Sequence, residues 1–143
     1  MKYQKSSHAT YDVRYHLVWI TKYRKDVLNV TMQERLKVIL TQTCEKIGVV
    51  ILKLGFEKDH VHMYVRMPIT KSITSVVWYI KWKSSYIMKK EFYKELKRIY
   101  WWVENLWAVW YFISSVWEIN GEIVSKYVEQ QWKEENEVTE IEL

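Results

Sequence analysis

Cysteine occurs once in the 143 residues, proline once and glycine three times. A single cysteine, Cys44, excludes an intramolecular disulfide and any zinc site built from several thiolates. It falls at an apolar position of a helical pattern and reads as a buried thiol rather than a reactive one. No apolar run approaches the roughly 20 residues that cross a bilayer. The polar start Met1-Lys2-Tyr3-Gln4-Lys5-Ser6-Ser7 has no signal-peptide core, so an intracellular, cytoplasmic location is expected. Internal repeats, low-complexity blocks and linkers are also missing. What is left is one domain of ordinary globular composition, 49% hydrophobic and 27% charged.

Positive charge and tryptophan are what the chain has in plenty. The formal net charge is +5, and there are nine tryptophans. The last ten residues, 134–143, hold five of the 17 acids and no lysine or arginine. Residues 1–133 therefore carry 22 basic against 12 acidic side chains, a net +10. Such a body suits a polyanion such as nucleic acid, and it equally suits a merely soluble basic protein. The expected organisation is a folded domain over 1–133 followed by a frayed acidic tail over 134–143.

Periodicity places the elements. Residues 10–20 alternate as one long strand, with Tyr11, Val13, Tyr15, Leu17 and Trp19 toward the core. From about Thr31 to Ile47 the residues Met32, Leu36, Ile39, Leu40, Cys44 and Ile47 recur at helical spacing, and Gly48 stops that helix. Val49 to Phe56 is β-rich, and a second strand follows after only Glu57-Lys58-Asp59, which implies an antiparallel hairpin ending at Pro68. Ile73, Val76, Val77, Ile80, Ile87 and Met88 mark another helix, whose other face carries Lys81, Lys83, Lys89 and Lys90. That lysine face lacks the strongly aromatic opposite side of membrane-surface helices, so no membrane partner is expected. A fourth strand is expected within Trp107 to Val116, and a last helix from near Asn120. The fold class is α+β: a ferredoxin-like βαββαβ antiparallel sheet with helices on one face, the other face left for ligand, plus a C-terminal helix.

The hairpin's second strand reads Asp59-His60-Val61-His62-Met63-Tyr64-Val65. Alternation puts His60, His62, Tyr64 and Arg66 on one face and Val61, Met63 and Val65 on the other. Two imidazoles about 7 Å apart along a strand can reach one metal ion. On the last helix Tyr127 and Gln131 are four residues apart and point the same way. If that helix crosses the open sheet face, a phenol and an amide oxygen approach the histidines. The set suits phosphodiester cleavage with Mg²⁺ or Mn²⁺, the tyrosine acting as a covalent nucleophile. Each piece also has an ordinary reading. A His-x-His pair is commonly surface polarity, Tyr127 can be core filler, and a lysine face can simply be solvated.

Taken together, several ordered stretches resemble the single-tyrosine HUH transposases of the IS200/IS605 insertion-sequence family. They are Tyr15 through Arg24, Asp59-His60-Val61-His62, Lys81-Trp82-Lys83-Ser84-Ser85, the run from Trp107 through Val116, and Lys126 through Gln131. The resemblance spans about Tyr15 to Trp132. It implies that His60 and His62 are metal ligands, Gln131 a third ligand and Tyr127 the catalytic tyrosine. It further implies a homodimer that cuts and rejoins single-stranded DNA at hairpin-bearing element ends through a 5′-phosphotyrosine, without a nucleotide cofactor. Lys22, Arg24, Lys81 and Lys83 are candidate phosphate contacts.

The departures from that family are concentrated. Trp82, Trp102, Trp110 and Trp117 stand where it usually has glycine or another small residue. Tryptophan there removes positive-φ freedom and adds a large ring, so buried or crowded aromatics are expected ahead of base-stacking ones. Two functional readings follow: a metal-dependent tyrosine transposase, or a non-catalytic single-stranded nucleic-acid-binding relative.

Overall fold

The first strands of the chain form a small side hairpin, and its placement already departs from expectation. The computed structural model describes residues 3–100, 105–115, 126, 128–130 and 133. The start of the last helix at Asn120, the site residues Tyr127 and Gln131, Trp102, Trp117 and the tail 134–143 lie outside the described residues. Instead of one strand over 10–20, β1 (Gln4–Lys5) pairs with β2 (Thr10–Tyr11), and β3 runs Arg14–Ile20. The break falls at Asp12 and Val13, where the Asp12 carboxylate accepts from Arg14 Nε at 2.7 Å.

Helix α1 (Val30–Lys46) is capped by Asn29, whose side chain accepts from the Met32 N–H at 2.9 Å. A cap of this kind stabilises by about 1 kcal/mol. Gly48, at φ +77°, ends the helix. The Gly48 and Val49 N–H groups close on the Glu45 and Cys44 carbonyls at 3.3 and 2.9 Å, a turn that needs the left-handed conformation glycine adopts freely. Strands β4 (Val50–Phe56) and β5 (His60–Arg66) form the expected antiparallel hairpin. Helix α2 (Ile73–Glu91) starts at Ser72, which accepts from the Ser75 N–H at 3.2 Å. A short α3 (Tyr93–Ile99) follows, and β6 is Phe112–Ser114.

The four main strands lie in the order β4-β5-β3-β6, each pair antiparallel. With α1 and α2 inserted, this is the ferredoxin-like βαββαβ arrangement. Val61, Met63 and Val65 of β5 join Leu17 and Trp19 of β3 in one core with Leu36 and Leu40 of α1 and Val77 and Ile80 of α2. A bulge between Ile51 and Lys53 resets the phase of β4, so that Ile51, Leu54 and Phe56 all pack on this core.

The opposite face is not wholly open, which corrects the simpler expectation. Val18 and Ile20 are fully buried there with Ala108, Phe112 and Val128. Val128 is helical and belongs to the C-terminal segment. Its burial on that face contributes roughly 1.5–3 kcal/mol.

Candidate active site

Val18 and Ile20 pair across the ladder with His62 and His60, so the face that Val128 covers is also the histidine face. The imidazole centroids of His60 and His62 are 6.1 Å apart with the rings tilted by 39°. Gly55 is the ladder partner of His62. A Cβ on Gly55 would collide with Cε1 and Nε2 of that ring, so the imidazole occupies the space a side chain would take. Glycine is required here for close approach rather than for a turn. Burial, reinforced by the neighbouring His60, holds the His62 pKa below its ordinary value, against a smaller opposite pull from Glu57. His62 is therefore held in its neutral, ligating form.

His60 is oriented from behind. Its Nδ1 donates to Asp59 Oδ1 at 2.8 Å, which leaves Nε2 as the lone-pair nitrogen. The other Asp59 oxygen accepts from Arg24 Nε at 3.0 Å. His60 first, and then Arg24, hold the Asp59 carboxyl below the usual range, outweighing its partial burial. Arg24 reaches Asp59 because Tyr23 and Arg24 both adopt positive φ, +58° and +52°. Two such residues cost about 1 kcal/mol or more each. The surrounding bonds hold the turn in place. Buried Thr21 donates its N–H to the Asp59 carbonyl at 2.9 Å and its hydroxyl to the Lys25 carbonyl at 2.7 Å. The Lys22 N–H donates to the Leu106 carbonyl at 2.8 Å, and the Lys22 carbonyl accepts from Tyr100 at 2.7 Å.

The four candidate phosphate contacts part company. Arg24 is committed to Asp59 and orients the histidine instead of reaching outward. Lys81 donates to the carbonyls of Ala108, Val109 and Trp110 at 2.6, 3.0 and 3.2 Å. One turn on, Ser84 accepts from Trp107 Nε1 at 2.9 Å and Ser85 from the Leu106 N–H at 3.0 Å. Lys81, Ser84 and Ser85 thus fasten the segment leading to β6 onto α2, and Lys81 has a structural role not expected from its place on a lysine face. Lys22 lies 5.5 Å from the Tyr23 ring centroid and Lys83 5.9 Å from that of Trp82, both with partly exposed side chains. Trp82 and Trp110 are 47% and 51% exposed, which overturns the expectation that they crowd the interior.

Two site features escaped the sequence reading. Asp59 stood inside the motif without a role. Gly55 was hidden by the length of the turn. Counting back from a three-residue loop pairs His62 with Leu54, whereas the Glu57 N–H donates to the His60 carbonyl at 2.9 Å, the turn is Lys58-Asp59, and Gly55 comes opposite His62.

Among the described residues no group of three or more His, Cys, Asp or Glu side chains converges as a metal cluster. The pair itself fits a divalent ion: one imidazole is neutral by burial, the other has its Nε2 lone pair free, and both share a face. A third donor would have to come from elsewhere.

The family model for IS200-like transposases matches residues 9–131. The chain belongs to this family. The IS200 transposase of Salmonella typhimurium is 30% identical over 129 residues, 90% of this chain and 83% of that protein. The ISDra2 transposase TnpA of Deinococcus radiodurans is 30% identical over 135 residues, 94% and 95% of the two chains. The crystal structure of a putative transposase from Deinococcus radiodurans superposes with a TM-score of 0.81 at 30% identity, covering 90% of this chain and 97% of that one. A REP-associated tyrosine transposase bound to a REP hairpin shares the fold at a TM-score of 0.55 and 13% identity, covering 87% and 68%. The IS200-like family marks the chain as a DNA-processing enzyme, a DNA transposase. No helix among the described residues is long and apolar enough to cross a membrane.

Proposed function

We propose that this transposase cuts and rejoins single-stranded DNA at hairpin-bearing insertion-sequence ends, with Tyr127 as nucleophile and a 5′-phosphotyrosine as intermediate. One observation carries the reading: the His60–His62 pair, with the Nε2 of His60 left free by Asp59, lies on the sheet face where Val128 is buried. Val128 is the residue after Tyr127. The hairpin-bound neighbour supports DNA hairpins as the ligand class, through a shared fold.

The chemistry follows from the side chains. The Tyr127 oxygen forms a bond to phosphorus, the bond from phosphorus to the 3′ oxygen breaks, and that oxygen leaves as a hydroxyl with the proton given up by the phenol. Rejoining is the reverse, a 3′ hydroxyl displacing the tyrosine. His60, His62 and Gln131 would hold Mg²⁺ or Mn²⁺, which when bound polarises the phosphoryl group and offsets charge on the leaving oxygen. Asp59 and Arg24 keep His60 facing the site, and Gly55 leaves room for His62. The reading includes a homodimer, whose mass in sedimentation would be twice that of the chain.

The test is incubation with single-stranded element-end DNA and Mn²⁺, followed by denaturing electrophoresis. A covalent protein–DNA adduct that chelator abolishes supports the reading. The second reading, a non-catalytic single-strand-binding relative, rests on exposed Trp82 and Trp110 beside lysines. Tight, metal-independent binding without an adduct favours it.

A further inference from the structure

Along α2, Trp78, Trp82 and Tyr86 follow one another at four-residue spacing and are 64%, 47% and 49% exposed. Their rings form a ladder. Trp78 and Trp82 are parallel with centroids 5.9 Å apart, and Trp82 and Tyr86 are 5.9 Å apart at 21°. Across from them the segment 108–110 is pinned to α2 by Lys81, with Val109 81% and Trp110 51% exposed at its rim. Between the two walls runs a groove of about 310 Å³, lined by Trp78, Trp82, Trp107, Val109 and Tyr111 among others. Exposed aromatic surface on this scale marks an interaction site rather than an ordinary surface.

We infer that this groove and ladder form a stacking platform for the bases of single-stranded nucleic acid. The inference rests on the single-stranded DNA reading above and adds a site to it, built from none of the residues placed in the cleavage machinery. Two properties of the surface choose the occupant. The walls offer flat π faces, and a planar aromatic ligand covers them best. The charge is of one sign: from Ile73 to Lys90 the helix carries Lys81, Lys83, Lys89 and Lys90 and no acid. Glu91, the first acid, is bound by Arg35 through two 2.7 Å contacts. A planar aromatic on a polyanionic thread is a nucleobase on its backbone. Duplex DNA is excluded because its base faces are already stacked. A second copy of this helix would bring lysines against lysines.

Lys83, 5.9 Å from the Trp82 centroid, sits where a phosphate beside a stacked base would meet it.

The test uses full-length protein and a fluorescein-labelled oligothymidine at fixed salt, read by anisotropy. Trp78→Ala and Trp82→Ala each weaken binding roughly tenfold or more. Trp82→Phe, which keeps an aromatic face, retains most of it. Lys83→Gln lowers the salt-dependence slope by about one. Thermal melting confirms that each surface variant is folded. Wild-type affinity in both tryptophan-to-alanine variants overturns the inference. So does a change of sedimentation mass on Trp82→Ala with oligomer affinity intact, since the face then covers a second copy. Adduct formation with unaltered binding in these variants sinks the platform alone. Stacking-dependent binding without any adduct sinks the cleavage reading alone.

Discussion

Gly55 and His62 face each other across the β4–β5 ladder, and the imidazole fills the volume a side chain at 55 would need. Gly55→Ala must therefore move His62 or the strand. The expected result is a loss of 1–3 kcal/mol in unfolding free energy, about the cost of overpacking. Mn²⁺ affinity in calorimetric titration should fall by roughly tenfold or more, as a displaced ligand requires. Unchanged metal affinity in Gly55→Ala would show that His62 needs no such cradle.

Asp59 links the turn at Tyr23 and Arg24 to His60. Asp59→Asn should reduce metal affinity by about 10–100-fold, the usual loss for a carboxylate behind a ligating imidazole. Arg24→Ala should cost less, since Asp59 keeps its bond to His60. NMR of the metal-free protein, read at the ring nitrogens, should find the proton on Nδ1 of His60 in wild type and a mixture in Asp59→Asn.

The same carboxylate sets a pH dependence. Its folded pKa is lowered, so its contribution to stability is full above the unfolded value of about 3.9 and fades as pH falls through the lower folded value. Urea unfolding of wild type and Asp59→Asn between pH 7 and pH 3 should show the two stabilities converging on acidification. A constant gap would mean that Asp59 is not ionised in partnership with His60 and Arg24.

Lys81 supplies the charge for three carbonyls. Lys81→Met leaves those acceptors without it and should destabilise by about 1–3 kcal/mol, measured by urea denaturation. A neutral outcome would place the ammonium in solvent.

Burial pushes the Cys44 thiol up to about 12. Native protein should leave a thiol-labelling reagent unreacted at pH 8, and one equivalent should react once urea unfolds it. Fast native labelling would contradict the burial of Cys44 on the core-facing side of α1.

Where local chemistry decides, the sequence was a good guide. Alternation in β5 placed the two histidines on one face, apolar spacing drew α1 to within a residue, and Gly48 marked its end. The features it concealed depend on partners distant in the chain. Val18 and Ile20 look like solvent-side residues of an alternating strand, and Ala108, Phe112 and Val128, all distant in the chain, bury them. The bulge in β4 answers to the register of β5, not to its own residues. Lys81 and Arg24 have the composition of surface cations, yet one meets carbonyls 27–29 positions away and the other a carboxylate 35 positions away. Short α3 carries too few residues for a periodic signal. The exposure of Trp82 could not be told from burial, because a ring of that size serves either a core or a surface.

The most direct test of the cleavage account is the covalent adduct of Tyr127→Phe compared with wild type, on single-stranded element-end DNA with Mn²⁺. Wild type should yield an adduct whose DNA-bearing peptide contains Tyr127, while Tyr127→Phe should bind the same hairpin DNA nearly as tightly and yield none. An adduct formed by Tyr127→Phe at the wild-type rate would contradict the account.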